Sequence, residues 1–141
     1  MKKLLFVCVV VWALIFSNYA FSAQFDFSGE WNYTTSNSWG PHNKDTSGMC
    51  SIVQKGDSFS FVFKTGYRCK PKPVCSLSGA VSGNTYYCST KDQVDDEGGI
   101  VETKMRFSAT SKSRASGKFT SVYHHPSGFT IKWGGDICIF R

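Results

Sequence analysis

From residue 25 onward the apolar residues of this chain recur at every second position rather than at every third or fourth. Phe25, Phe27, Gly29, Trp31 and Tyr33 share one parity, and so do Phe59, Phe61 and Phe63. Val101, Thr103, Met105, Phe107 and Ala109 alternate with Glu102, Lys104 and Arg106. Successive side chains of a β-strand point to opposite faces, so this period predicts strands with one buried and one wet face. No stretch after residue 24 carries the 3.6-residue period of a helix. The runs are separated by "KGD", "SGN", "VDDEGG" and "HPSG". Gly, Asn and Asp supply the positive φ that tight hairpin turns demand. A longer polar loop, "GPHNKDTSG", leads to Cys50.

The count is about eight strands with short connections, the pattern of an all-β antiparallel up-and-down meander. Eight strands fit a small closed barrel whose interior holds side chains or one small ligand. A two-sheet sandwich is the structural alternative, and periodicity does not separate the two. Because the connections read as short hairpins, the barrel is favoured.

Residues 1–22 have a different texture. Met1-Lys2-Lys3 precedes the uncharged apolar run Leu4–Phe16, and Ala20-Phe21-Ser22 offers a small-x-small cleavage site before Ala23. That is the pattern of a signal peptide, and 13 apolar residues fall short of a membrane span. The expected mature chain, 23–141, is one domain that is secreted or periplasmic. Loss of Lys2 and Lys3 takes the formal charge from +6 to +4. With Asp92, Asp95, Asp96 and Glu97 in an acidic patch, the surface reads as solvated rather than as a nucleic-acid stripe. Glu102, Lys104 and Arg106 on one face of a strand argue against a membrane barrel, whose outer wall is apolar.

Gly29-Glu30-Trp31, in the first strand, resembles the Gly-x-Trp signature of lipocalins and avidin-like barrels. In that superfamily the Trp closes one barrel end and an Arg just past the last strand packs over it. Arg141 follows the last expected strand, so the resemblance implies a Trp31–Arg141 contact, itself a favourable cation–π pair. The Thr-Asp-Tyr element and C-terminal helix of lipocalins are missing, and nothing beyond the Trp matches the biotin-contacting pattern of avidins. The stretches "GEW", "QKGDSFSF" and "SGAVSGNTY" are also similar to secreted bacterial β-proteins, a likeness that implies no activity.

Catalytic and metal chemistry find little support in the residues. His124 and His125 are adjacent, so on a strand they point to opposite faces. Asp95, Asp96 and Glu97 lack the alternate-position ligands of a cation loop. No Gly-x-Ser-x-Gly elbow accompanies the serines. The expectation is a non-enzyme with no cofactor and no metal. Five cysteines follow the leader. "CKPKPVC" suggests a local Cys69–Cys75 disulfide, and Cys50 and Cys138, both expected beside the first strand, a second one that staples the barrel. Cys88 is then left as a free thiol.

Two functions remain. Trp31, Phe59, Phe61, Phe63, Tyr86, Met105, Phe107, Phe119 and Tyr123 fall on inward parities and are expected to line a pocket for a small, largely apolar ligand. The rival is a protein-facing role resembling that of exported bacterial protease and lysozyme inhibitors. It would act through the basic loop 64–75 with Arg68, Lys70 and Lys72, although a positive surface disfavours a basic lysozyme target.

Overall fold

Strands form where the two-residue period occurs: β1 (Gly29–Trp39), β2 (Ser47–Lys55), β3 (Ser58–Phe63), β4 (Cys75–Ser82), β5 (Thr85–Gln93), β6 (Ile100–Ser111), β7 (Arg114–His124) and β8 (Thr130–Phe140). The structure, a computed structural model, describes residues 25–67 and 74–141. Each strand pairs antiparallel with the next, and β8 returns to β1, closing the sheet into a barrel. Closure removes the sheet edges that a two-sheet sandwich would leave open. The expected leader, and Arg68, Cys69, Lys70 and Lys72, lie outside the described residues.

The up-and-down order sorts the connections by length. Tight turns join β2 to β3 at Gly56-Asp57 and β4 to β5 at Gly83-Asn84. Gly56 (φ +60°) and Gly83 (φ +57°) occupy the position where a two-residue hairpin needs a left-handed residue. These turns, the β6–β7 turn and the segment entering β1 share one end. The longer connections 40–46, 94–99 and 125–129 gather at the other, with residues 64–67, here called the mouth.

The tight end is sealed. β1 begins at Gly29, later than the alternation from Phe25 suggested, and residues 25–28 fold beneath the barrel instead. Phe27 is fully buried and stacks on Trp31 at 4.4 Å. The Trp31 indole N–H donates to Phe27 O at 2.8 Å. The Arg141 guanidinium lies 3.9 Å from the Trp31 ring and donates to Ser28 O at 2.6 Å. The contact implied by the two ends of the sequence is therefore present, and it fixes the entering segment to the end of β8.

A column of aromatic rings rises from this plug. Phe27 meets Tyr86, Tyr86 stacks on Phe107 at 4.8 Å, Phe107 meets Phe61, Phe61 meets Phe63 at 4.8 Å, and Phe63 meets Tyr67. Ile52, Leu77, Val81, Met105, Ile137 and Ile139 pack around it. The buried hydroxyls of Thr103 and Ser121 satisfy each other at 2.8 Å.

The cysteine reading needs one correction. Cys50 and Cys138 are both free thiols, not a disulfide. Cys50 is opposite Trp31, on the inner face, whereas Cys138 is opposite Thr34, on the outer face. They flank β1 from opposite sides of the barrel wall, two strand spacings (about 9–10 Å) apart, beyond the reach of a disulfide. Cys88 is free and buried, as expected. Cys75 is buried, and Cys69, its expected partner, lies outside the described residues. Under native conditions a maleimide should label Cys138 first and reach Cys50 and Cys88 only on unfolding. Mass mapping of labelled peptides checks this order, and rapid labelling of Cys88 would contradict it.

Candidate functional site at the barrel mouth

The residues expected to line a pocket do converge, but on a filled space. Trp31, Phe59, Phe61, Phe63, Tyr86, Met105 and Phe107 are all buried within the barrel. The cavity left above them, bordered by Phe63, Leu77, Thr103 and Met105, is about 10 Å³, room for about one water. Large side chains from seven strands, with the smaller Ala115 and Ser121 of β7, point at one axis and occupy the volume that a ligand would need. Phe119 sits higher, half-buried, and borders the mouth. Tyr123 is on the rim, away from the others, donating to Asp95 Oδ2 at 2.6 Å.

The open space lies at the mouth. A hollow of about 480 Å³ is lined by Thr35, Ser38, Pro41, His42, Asn43, Lys44, Thr46, Gly66, Tyr67, Phe119 and Trp133. Three local devices shape it. The first is a bulge in β1: Ser36 pairs with Asp136 but Trp39 with Gly134, so β1 holds one extra residue there. Asn37 takes φ +51°, and its amide donates to Asp136 at 2.7 Å. Lys118 donates to the other Asp136 oxygen at 2.8 Å, and the two bonds, that from Asn37 first, hold the carboxyl below its ordinary pKa. The extra residue inverts the alternation. Ser38 therefore faces the hollow, and Trp39 lies outside against Gly134.

The second device ties down the β3–β4 connection. The Tyr33 hydroxyl donates to Thr65 O at 2.8 Å and accepts from Tyr67 N at 2.7 Å. Both bonds come from one buried side chain rooted in β1, so the Tyr67 ring is held at the top of the aromatic column. The third orders the β1–β2 connection. Thr46 N donates to Thr35 Oγ1 at 2.7 Å, and Ser38 N donates to Asp45 Oδ1 at 3.2 Å. The His42 ring meets the buried Trp133 ring edge-on at 4.9 Å. The Ser38 hydroxyl oxygen is buried with no hydrogen-bond partner.

Across the mouth a second cluster joins the β5–β6 and β7–β8 connections. His125 stacks on Phe129 at 4.4 Å. One ring nitrogen meets Glu97 Oε2 at 3.0 Å and the other meets Ser127 Oγ at 2.7 Å. The order Ser–His–Glu invites comparison with a nucleophilic triad. Yet Ser127 N already donates to His125 Nδ1, and Gly128 N to His125 O. The backbone donors that could stabilise an oxyanion beside Ser127 are thus committed, and the cluster acts as a latch between two loops. Asp95 reinforces it, accepting from Tyr123 and from Gly99 N at 2.6 Å. These bonds, that from Tyr123 first, hold the Asp95 carboxyl below its ordinary pKa. Among the described residues no group of three or more His, Cys, Asp or Glu could hold a metal ion.

Sequence reasoning missed Ser38, His42, Lys44, Tyr67 and Trp133. Their signal was faint: a loop dense in Pro, His, Asn and Lys between two strands, and Trp133 at the inward parity of "FTIKW". No known family's model matches the sequence, and a search of curated proteins finds no match.

Proposed function

We propose that this chain is a secreted or periplasmic, non-enzymatic binding protein that holds a small, largely apolar ligand at the mouth of its barrel. Its architecture is compatible with that of lipocalin- and avidin-like barrels, and a kinship with them is part of this reading. One observation carries it: a hollow of about 480 Å³ walled by Tyr67, Phe119 and Trp133 stands open above a packed interior. Ligand sites of this kind combine aromatic walls with a few polar anchors in a few hundred cubic ångströms. The site thereby moves from the deep interior suggested by the Phe-rich strands to the ring of loops above them. The rival role, through loop 64–75, rests on Arg68, Lys70 and Lys72, outside the described residues.

The test is a titration with the neutral fluorescent probe N-phenyl-1-naphthylamine. Binding should saturate at about one probe per chain. Trp133→Ala should weaken it about tenfold or more, since the indole is a wall of the hollow. Phe61→Leu should leave the affinity of the folded protein nearly unchanged, because Phe61 lies below the hollow. A probe sensitive to Phe61→Leu and indifferent to Trp133→Ala would return the site to the interior.

A further inference from the structure

We propose that the mouth hollow selects ligands in which a flat apolar body carries an anionic group, a carboxylate or its equivalent. This inference rests on the reading of the mouth as a binding site and names the ligand class. It comes from the balance of donors and acceptors in the wall.

Among the described residues no Asp or Glu lines the hollow. Of the polar side chains that do, His42 and Asn43 can both donate and accept, and Lys44 carries a positive charge. Thr35 and Thr46 are spent on each other's connection, Thr46 N donating to Thr35 Oγ1. The nearest carboxylate in sequence, Asp45, is taken by Ser38 N and does not line the wall. Among the described residues the Lys44 ammonium and the Trp133 indole N–H have no hydrogen-bond or ion-pair partner. Neither group can accept. The Ser38 hydroxyl, buried and unpartnered, is free to donate as well.

A buried hydroxyl without a partner costs free energy that a bound acceptor would restore. An ammonium and an indole N–H on residues of one wall favour an acceptor with several lone pairs and negative charge. The aromatic wall supplies the second half of the specificity. Tyr67, Phe119 and Trp133 present ring faces and edges, the surface on which a planar apolar body stacks. A neutral polyol could bond to His42 and Asn43 but would leave the Lys44 charge unmatched, since no described carboxylate lines the wall.

A matched pair of probes decides the matter. 8-Anilinonaphthalene-1-sulfonate and N-phenyl-1-naphthylamine share one aromatic body and differ by the anionic group. The sulfonate should bind the intact protein at least tenfold tighter. Lys44→Gln and Trp133→Phe should each shrink that ratio severalfold, the readout being the ratio of the two probes in each variant. Lys112→Gln, exposed at the β6–β7 turn of the tight end, is the control for unspecific charge attraction and should leave the ratio intact. Sodium 2-naphthoate should displace the sulfonate probe, and 2-naphthalenemethanol should do so poorly. Equal affinities for the two probes would overturn the selectivity and leave the binding reading standing. A ratio that falls with Lys112→Gln but not with Lys44→Gln would overturn it too. Failure of both probes to bind would remove the binding reading and this inference together.

Discussion

Replacing Trp31 with alanine should lower the unfolding free energy by about 3–5 kcal/mol, the usual range for deleting a large buried aromatic. Domains of this size are stable by only about 5–15 kcal/mol, so the variant should sit near the threshold of folding. Three interactions vanish at once: the stack on Phe27, the hydrogen bond to Phe27 O, and the ring beneath Arg141. Two milder substitutions separate them. Trp31→Phe keeps a ring against Phe27 but leaves its carbonyl without the indole donor, at about 1–3 kcal/mol. Arg141→Met keeps an apolar stem over the indole and loses the cation–π contact together with the bond to Ser28 O, about 1–2 kcal/mol. Urea denaturation followed by circular dichroism measures all three. A Trp31→Ala unfolding free energy within about 1 kcal/mol of the native one would show that the tight end is not a structural plug. Because the mouth lies at the opposite end, probe affinity in folded Arg141→Met should be unchanged.

Stability should also fall steeply between pH 9 and pH 12. Burial pushes the Cys50 thiol up to about 12, with the Glu30 carboxylate contributing second. Burial alone does the same to Cys88. In the unfolded chain both thiols ionise near their ordinary value of 9.0. A group whose folded pKa is raised contributes its full stability below the unfolded pKa and loses it as the pH climbs toward the folded one. The two thiols thus favour the folded state fully up to about pH 9 and progressively less above it, by roughly 4 kcal/mol per thiol at the alkaline limit. Tyr86, whose hydroxyl burial raises to about 12, adds to the same slope above its ordinary value of 10. Stability curves at half-unit intervals from pH 8 to 11.5 test this. In a Cys50→Ala, Cys88→Ala double variant the starting stability should be lower and the alkaline slope distinctly flatter. An unchanged slope would mean that these thiols ionise without unfolding.

At the other end of the scale Asp95, held down by Tyr123 and Gly99, works with the opposite sign. Its contribution is present above its ordinary pKa of 3.8 and fades as acid protonates it. The latch between the β5–β6 and β7–β8 connections should therefore loosen at the acid limit before the barrel does.

Much of this architecture was written locally. A two-residue period needs only neighbouring positions, so Phe59, Phe61 and Phe63 declared the inner face of β3 by themselves. A glycine at a hairpin tip needs only its own backbone freedom, so Gly56 and Gly83 marked their turns. Strand number and order then follow, because short connections can join only adjacent antiparallel strands. Gly29-Glu30-Trp31 and Arg141 announced the sealed end, since closing eight strands brings the first beside the last. What the tertiary structure alone decided are quantities summed over distant strands. Whether the interior is hollow depends on the volumes of side chains from all eight strands meeting at one axis, and Phe63, Leu77, Met105 and Ile137 border a space of only about 10 Å³. Whether Cys50 meets Cys138 depends on the register of β1 against both its neighbours, which puts one thiol inside the wall and the other outside. The mouth depends on a single extra residue at Asn37, which turns Ser38 inward against the local alternation. Parity is a property of one strand, whereas volume, register and bulges are settled only when strands far apart in sequence pack together.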